Sequence, residues 1–181
     1  MKNRTKMIII LTVFGLISGA VLSLVYMISK PYIEKNMMAE QKRAIFSVVP
    51  NAKSYEEKEK NGMKYFECKD ASGNVVGIAL PAKGNGYQGE IKLMIGLTPG
   101  LKRITGLEIL EQVETPGLGG RISEDSFLNQ FKGISTEPQV NYVKNKKPEK
   151  PNEIRAITGA TISSRSVVAI INKNIKAFRG K

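Results

Sequence analysis

The stretch Ala156-Ile157-Thr158-Gly159-Ala160-Thr161-Ile162-Ser163-Ser164 decides how this chain is read. Gly159 lets a backbone approach a ligand closely, and the small Ala160 keeps the same surface open. Thr161, Ser163 and Ser164 crowd three hydroxyls just ahead of a segment whose apolar residues Val167, Val168, Ile171, Ile175 and Phe178 follow helical spacing. That spacing predicts an amphipathic helix with Ser163 or Ser164 as its N-cap. A helix N-terminus offers free amides and a positive dipole end to an anion such as phosphate, and Arg165 in the first turn adds a fixed cation. The plainer reading is a turn and a cap with no ligand. These residues by themselves leave both open.

Upstream, Arg103 to Val113 alternates apolar and polar residues in part, and this candidate strand delivers Glu114-Thr115-Pro116-Gly117-Leu118-Gly119-Gly120. Proline fixes one backbone angle and the glycines permit conformations a side chain would forbid, so a tight turn is expected there.

Thr158-Gly159-Ala160-Thr161-Ile162-Ser163-Ser164 resembles the [S/T]-G-A-T-x-x-S motif of the FMN-binding domain family. Glu114-Thr115-Pro116-Gly117-Leu118-Gly119 is similar to that family's E-T-P-G-L-G segment. With both motifs in order, a short chain and one apolar N-terminal segment, the sequence resembles the G subunits of Rnf electron-transport complexes. The resemblance implies FMN joined by a phosphoester to Thr161, with Thr158, Gly159, Ala160 and Ser163 beside it and Ser164 in the last motif position. It implies too that Glu114, Thr115, Pro116, Gly117, Leu118 and Gly119 lie against the flavin from the opposite side. Thr115 and the amides of Gly117 to Gly119 would then hydrogen-bond the ring or the ribityl chain. Arg155 stands a few positions before the motif, where the family pattern has an acidic residue.

On the same resemblance the chain is an electron-transfer subunit of an ion-translocating ferredoxin:NAD oxidoreductase. Its implied partners are the other membrane subunits and a flavin transferase for maturation. A neighbouring reading is the covalent-FMN subunit of a sodium-pumping NADH:quinone reductase, which shares the motif. Two readings from other classes are a flavin-free anchored binding or assembly protein and a free-standing extracellular flavoreductase.

Composition agrees with an imported cofactor. The chain has no histidine and one cysteine, Cys68. Internal disulfides, iron–sulfur clusters and the usual zinc or haem ligand sets are therefore excluded, and electrons need an organic carrier.

Met7 to Ile28, MIIILTVFGLISGAVLSLVYMI, contains no charged residue. At helical rise it spans roughly 33 Å, enough to cross a bilayer core. Lys2, Arg4 and Lys6 precede it, as they would in a cleaved signal peptide, but its apolar run outlasts the roughly 7–15 residues of such a signal. An uncleaved anchor is expected. The dense basic tail favours a cytoplasmic N-terminus, with residues beyond 29 outside a bacterial cell membrane. Removing that tail's three charges from the net +12 leaves +9 for residues 29–181. The basic residues are scattered and no nucleic-acid motif is visible, so a surface near anionic membrane lipid is expected rather than nucleic acid.

The expected organisation is α+β: a tail 1–6, a transmembrane helix 7–28, a juxtamembrane helix 29–50 opened by Pro31, and one mixed FMN-binding domain 51–181 with a largely antiparallel sheet. Within the domain, Asn51 to Asn61 reads as a solvated connection. Lys64–Lys69 and Val75–Leu80 read as a hairpin stopped by Pro81, and 82–89 as a flexible glycine-rich turn in which Tyr87 could touch a ring. Glu90–Leu97 reads as a strand. A short helix holding Phe127, Leu128 and Phe131 follows, capped by the Ser123–Ser126 segment, and residues 136–152 read as an exposed basic loop or strand excursion.

Overall fold

The computed structural model describes residues 2–180; Met1, which opens the expected tail 1–6, and Lys181, which ends the expected domain 51–181, lie outside the described residues. A single helix, α1 (Lys2–Val48), contains Pro31 in its interior, so this proline does not open a separate helix. Residues Asn3–Val48 are long and apolar enough to cross a membrane. Two compact units divide at Glu40/Gln41.

In the unit from Gln41 onward, five strands form an antiparallel meander in sequence order: β1 (Ser54–Lys60), β2 (Met63–Lys69), β3 (Val75–Asn85), β4 (Glu90–Leu97) and β5 (Ile104–Glu111). The largely antiparallel sheet expected from the sequence is thus present, with two departures. Ser54–Lys60 is an edge strand rather than a solvated connection, and Pro81 does not stop β3. Pro81 pairs with Met94 on β4, but it lies two residues past Ala79, the last β3 residue paired to β2. One edge of β3 is open there, and a missing N–H is tolerated.

β4 explains the layering. Ile91, Leu93, Ile95 and Leu97 point to one face and Met94 to the other, all fully buried. The first face carries the larger core, closed by the 3-10 turns Gly119–Ser123 and Asn129–Phe131, by α2 (Asp125–Leu128) and by the long C-terminal α3 (Thr161–Arg179). Along α3, Val167, Val168, Ile171, Ile175 and Phe178 are buried as their spacing predicts, and Gly180 terminates the helix in the left-handed conformation. Within residues 136–152 only β6 (Asn141–Val143) is regular; it pairs in parallel with β7 (Glu153–Arg155).

The opposite face is covered by Ala44, Ile45, Val48, Val49 and Ala52, packed with Phe66, Cys68, Ala79 and Met94. The cross-strand partners Gly96 and Gly106 admit this segment closely. A Cβ on Gly96 would fall 2.1 Å from the Val48 carbonyl oxygen, and one on Gly106 2.8 Å from the Val48 Cα. Thr105 Oγ1 then donates to that carbonyl at 2.6 Å, satisfying an end-of-helix acceptor. Burial of Cys68 pushes its thiol up to about 11, so it is inert near neutrality.

Candidate functional site

Three loops meet at the N-terminus of α3. The turn Ile157–Ala160 closes with the Ala160 N–H donating to the Ile157 carbonyl at 3.0 Å, and Gly159 takes a φ of +84° that suits glycine. α3 begins at Thr161, earlier than its apolar spacing suggests, and its N-cap is Ala160 with no side-chain cap. This corrects the expectation that Ser163 or Ser164 caps the helix. Both serines lie inside the first turn and are buried. The Ser164 hydroxyl donates to the Ala160 carbonyl and accepts from the Ile157 N–H, each at 3.0 Å, folding the turn back onto the helix. The Ser163 hydroxyl donates to Glu114 Oε2.

Of the four hydroxyls here, those of Ser163 and Ser164 are committed to protein partners, and among the described residues those of Thr158 and Thr161 are not; Thr158 is exposed, whereas Thr161 is half-buried at the lip of a cleft. The first backbone bond of α3 runs from the Ser164 N–H to the Ala160 carbonyl at 3.1 Å, so the amides of Thr161, Ile162 and Ser163 precede it. Such amides and the helix dipole favour an anionic group.

Glu114 underlies the opposite wall. It is 4% exposed. Its Oε1 accepts the backbone N–H groups of Tyr87 at 2.8 Å and Gln88 at 3.0 Å, while Oε2 accepts the Ser163 hydroxyl. Two glycines make room for it: a Cβ on Gly86 would meet Oε1 at 2.3 Å, and one on Gly119 would meet Oε2 and Ser163 Oγ at 2.6 Å. Burial works to raise the carboxyl's pKa, but the donors from Ser163, Gln88, Tyr87 and Gly89 outweigh it and hold the group below the usual range. Glu114 therefore joins the loop 86–89, the loop 114–119 and helix α3 through one ionised carboxylate.

The cleft between these walls measures about 360 Å³ and is lined by Glu114, Thr115, Leu118 and Gly119 on one side and Gly159, Ala160, Thr161, Ile162 and Ser163 on the other, with Tyr87 beside them. Pro116, Gly117, Thr158 and Ser164 do not line it. Arg165 lines a neighbouring groove with Lys83 instead. The Leu118 amide is already bonded to the Thr115 carbonyl at 3.2 Å, and Thr115 Oγ1 accepts from Gln88 Nε2 at 2.6 Å. Of the expected donors in this loop, the Leu118 amide is therefore spent on protein, while the Thr115 hydroxyl is engaged as an acceptor and keeps its own proton to donate. Sequence reasoning missed Ile162 and Gln88, since neither occupies a motif position.

Among the described residues beyond 40, the exposed large apolar side chains are Val75, Tyr87, Val113, Leu118 and Ile162. Three of the five line this cleft, and Val113 sits next to it, against Gly89. An apolar rim with backbone donors at one end suits a flat aromatic ligand carrying a phosphate.

Residues 86–176 match the FMN-binding domain family, and that span contains both walls of the cleft. Over 182 residues the chain is 31% identical to the G subunit of the ion-translocating oxidoreductase complex of Methanosarcina acetivorans, covering 96% of this chain and 94% of that one. The chain belongs to the G-subunit family of FMN-binding-domain proteins. It is likewise 33% identical over 193 residues to the G subunit of the Na+-translocating ferredoxin:NAD+ oxidoreductase complex of Acetobacterium woodii, covering 96% and 91% of the two chains. The fold is shared with a solved structure of the C subunit of the Na+-translocating NADH-quinone reductase from Parabacteroides distasonis, with a TM-score of 0.66 at 21% identity over 81% of this chain and 94% of that one.

Proposed function

We propose that FMN is attached to Thr161 Oγ1 through a phosphoester, and that the chain is the membrane-anchored flavoprotein subunit of an ion-translocating ferredoxin:NAD oxidoreductase complex. The observation that carries the attachment is the division of labour among the hydroxyls. Ser163 and Ser164 are spent on Glu114 and Ala160, Thr158 does not line the cleft, and Thr161 does so beside first-turn amides that have no backbone acceptor among the described residues.

When bound, the flavin supplies the electron-carrying chemistry that histidine-free, single-cysteine side chains lack. The protein's part is to hold the phosphate end at the α3 N-terminus and to offer Tyr87, Leu118 and Ile162 to the ring. The covalent bond, installed by a flavin transferase, abolishes dissociation into a dilute compartment. End-to-end similarity to G subunits favours the ferredoxin:NAD complex over the quinone reductase.

Mass spectrometry of the peptide bearing Thr161, from protein made alongside a flavin transferase, tests the attachment. Added flavin mass on that residue, with the fluorescent gel band lost in Thr161→Ala, is the expected result; an unmodified Thr161 in fully matured protein overturns it. The proposed orientation has the N-terminus in the cytoplasm and residues beyond the anchor outside. Ser72→Cys places a thiol in the exposed β2–β3 loop, while the native Cys68 thiol is buried and supplies no background. An impermeant maleimide should label Ser72→Cys in intact cells. Labelling only after lysis reverses the orientation.

A further inference from the structure

The solvent side of α3 carries charge that the helix itself does not need. It has Arg165, Lys173, Lys176 and Arg179 and neither Asp nor Glu. The last turn, with Lys176 and Arg179, is where the helix dipole favours cations; Arg165 and Lys173 gain nothing from it. Lys173 and Lys176, three residues apart with the same sign, repel each other. Arg179 has structural duties, since its Nη2 donates to the Leu101 carbonyl at 2.6 Å and to Thr136 Oγ1 at 2.8 Å. Arg165, Lys173 and Lys176 are exposed, and among the described residues no carboxylate lies within salt-bridge distance of them.

Two grooves flank this face. One, of about 250 Å³, lies between α3 and the end of β3 and includes Asn85, Arg165, Lys173 and Lys83, the last 3.8 Å from Glu90 and so partly compensated. The other, of about 380 Å³, lies between α3 and the segment 136–139 and includes Gln139, Lys173 and Lys176. Lys173 belongs to both, so one cationic surface follows the helix away from the turn that begins at Thr161.

We propose that this pair of grooves is the docking surface for an acidic face of a neighbouring protein chain, bringing that chain alongside the cleft. The inference rests on the electron-carrier reading above, because a carrier must let its redox partner approach the cofactor. Complementary charge orients such an approach and fixes its register. Grooves with amide side chains between the cations accept protruding carboxylates, whereas a bilayer offers a plane of headgroups. The exposed loop bearing Lys144, Lys146 and Lys147 is the internal control.

The test treats membranes holding the full-length chain and the rest of its complex with a water-soluble carbodiimide, which joins an amine to a carboxylate in contact with it. Expected are crosslinks from Lys83, Lys173 or Lys176 to Asp or Glu of another chain, lost at high salt and lost in Lys173→Glu/Lys176→Glu. Absence of these crosslinks, or their appearance only at Lys144, Lys146 and Lys147, overturns the proposal. Protection of Lys173 and Lys176 from acetylation in phosphatidylglycerol vesicles holding this chain alone, with no crosslink in the whole complex, overturns it in favour of a lipid surface. In-gel flavin fluorescence of the same samples separates the two failures. A fluorescent band without crosslinks sinks the docking surface alone, and crosslinks on a flavin-free chain sink the carrier reading.

Discussion

The two walls of the cleft come from motifs of similar length but are built on opposite plans. The 114–119 wall is anchored from within: a buried carboxylate pulls three segments together, and two glycines are bare so that it fits. The 158–164 wall faces outward, with its serines turned inward as braces and Thr161 and the first-turn amides left toward the cleft. One wall fixes the shape of the cleft and the other presents the groups that can react or bind. A short motif can thus divide its residues between scaffolding and chemistry, and hydroxyl content by itself does not reveal which is which.

Thr161→Ala tests this division most severely. Covalent flavin should disappear from the denaturing gel while the unfolding free energy of the flavin-free protein changes by no more than about 0.5 kcal/mol, as for a substitution outside the packed core. A large loss of stability would mean that Thr161 is also a brace. Gly119→Ala should act in the reverse sense. Its Cβ would press on Glu114 Oε2 and Ser163 Oγ, both fixed by hydrogen bonds, so a destabilisation of about 1–3 kcal/mol in thermal or urea unfolding is expected. Flavin loading should fall with it, since both walls shift.

Glu114→Gln should be milder, costing about 1–2 kcal/mol, because the amide keeps the shape but loses charge-assisted acceptance. It also has a pH signature. The folded carboxyl lies below its unfolded value, so its contribution is present above an unfolded pKa of about 4.3 and is lost as pH falls through the folded value. Unfolding midpoints measured from pH 7 down to 3 should therefore converge for wild type and Glu114→Gln at the acid end. A constant gap across that range would deny the carboxylate its linking role. Ser164→Ala, which removes one hydroxyl bridge between Ile157 and Ala160, should cost about 1 kcal/mol in the same melts.

Much of the fold is legible where burial imposes a period. Glu90–Leu97 and the α3 stripe bury the positions that their alternation and helical spacing mark. β1 is not legible in that way because its seven residues, Ser-Tyr-Glu-Glu-Lys-Glu-Lys, face solvent for the most part. It is secured by cross-strand ion pairs, Lys58 with Glu67, Lys64 with Glu57 at 2.7 Å and Lys69 with Glu56 at 2.9 Å. A local clue is nevertheless there. Asn61-Gly62 takes φ values of +53° and +72°, the conformation of a two-residue hairpin, and that pair is the sequence signal for such a turn.

At the site, the two motifs identify the residues that meet, but their tasks depend on distant contacts. Glu114 reaches Ser163 across 49 positions, and no local pattern could show that the acid of one motif steadies the serine of the other. The cap escapes local reading for a related reason. Serine is the commoner capping residue, yet Ser164 sits within the first turn of the helix and bonds back to Ala160, which takes the boundary.

The packing of Ala44, Ile45, Val48 and Val49 on the sheet bears on how a soluble fragment of this protein should be cut. Starting the fragment at residue 51, after the helix, would strip a cover from Met94, Ala79, Phe66 and Cys68 and leave the notch at Gly96 and Gly106 empty. Such material should self-associate through the bared face. A start at Gln41 keeps that cover and leaves behind the apolar run that calls for detergent.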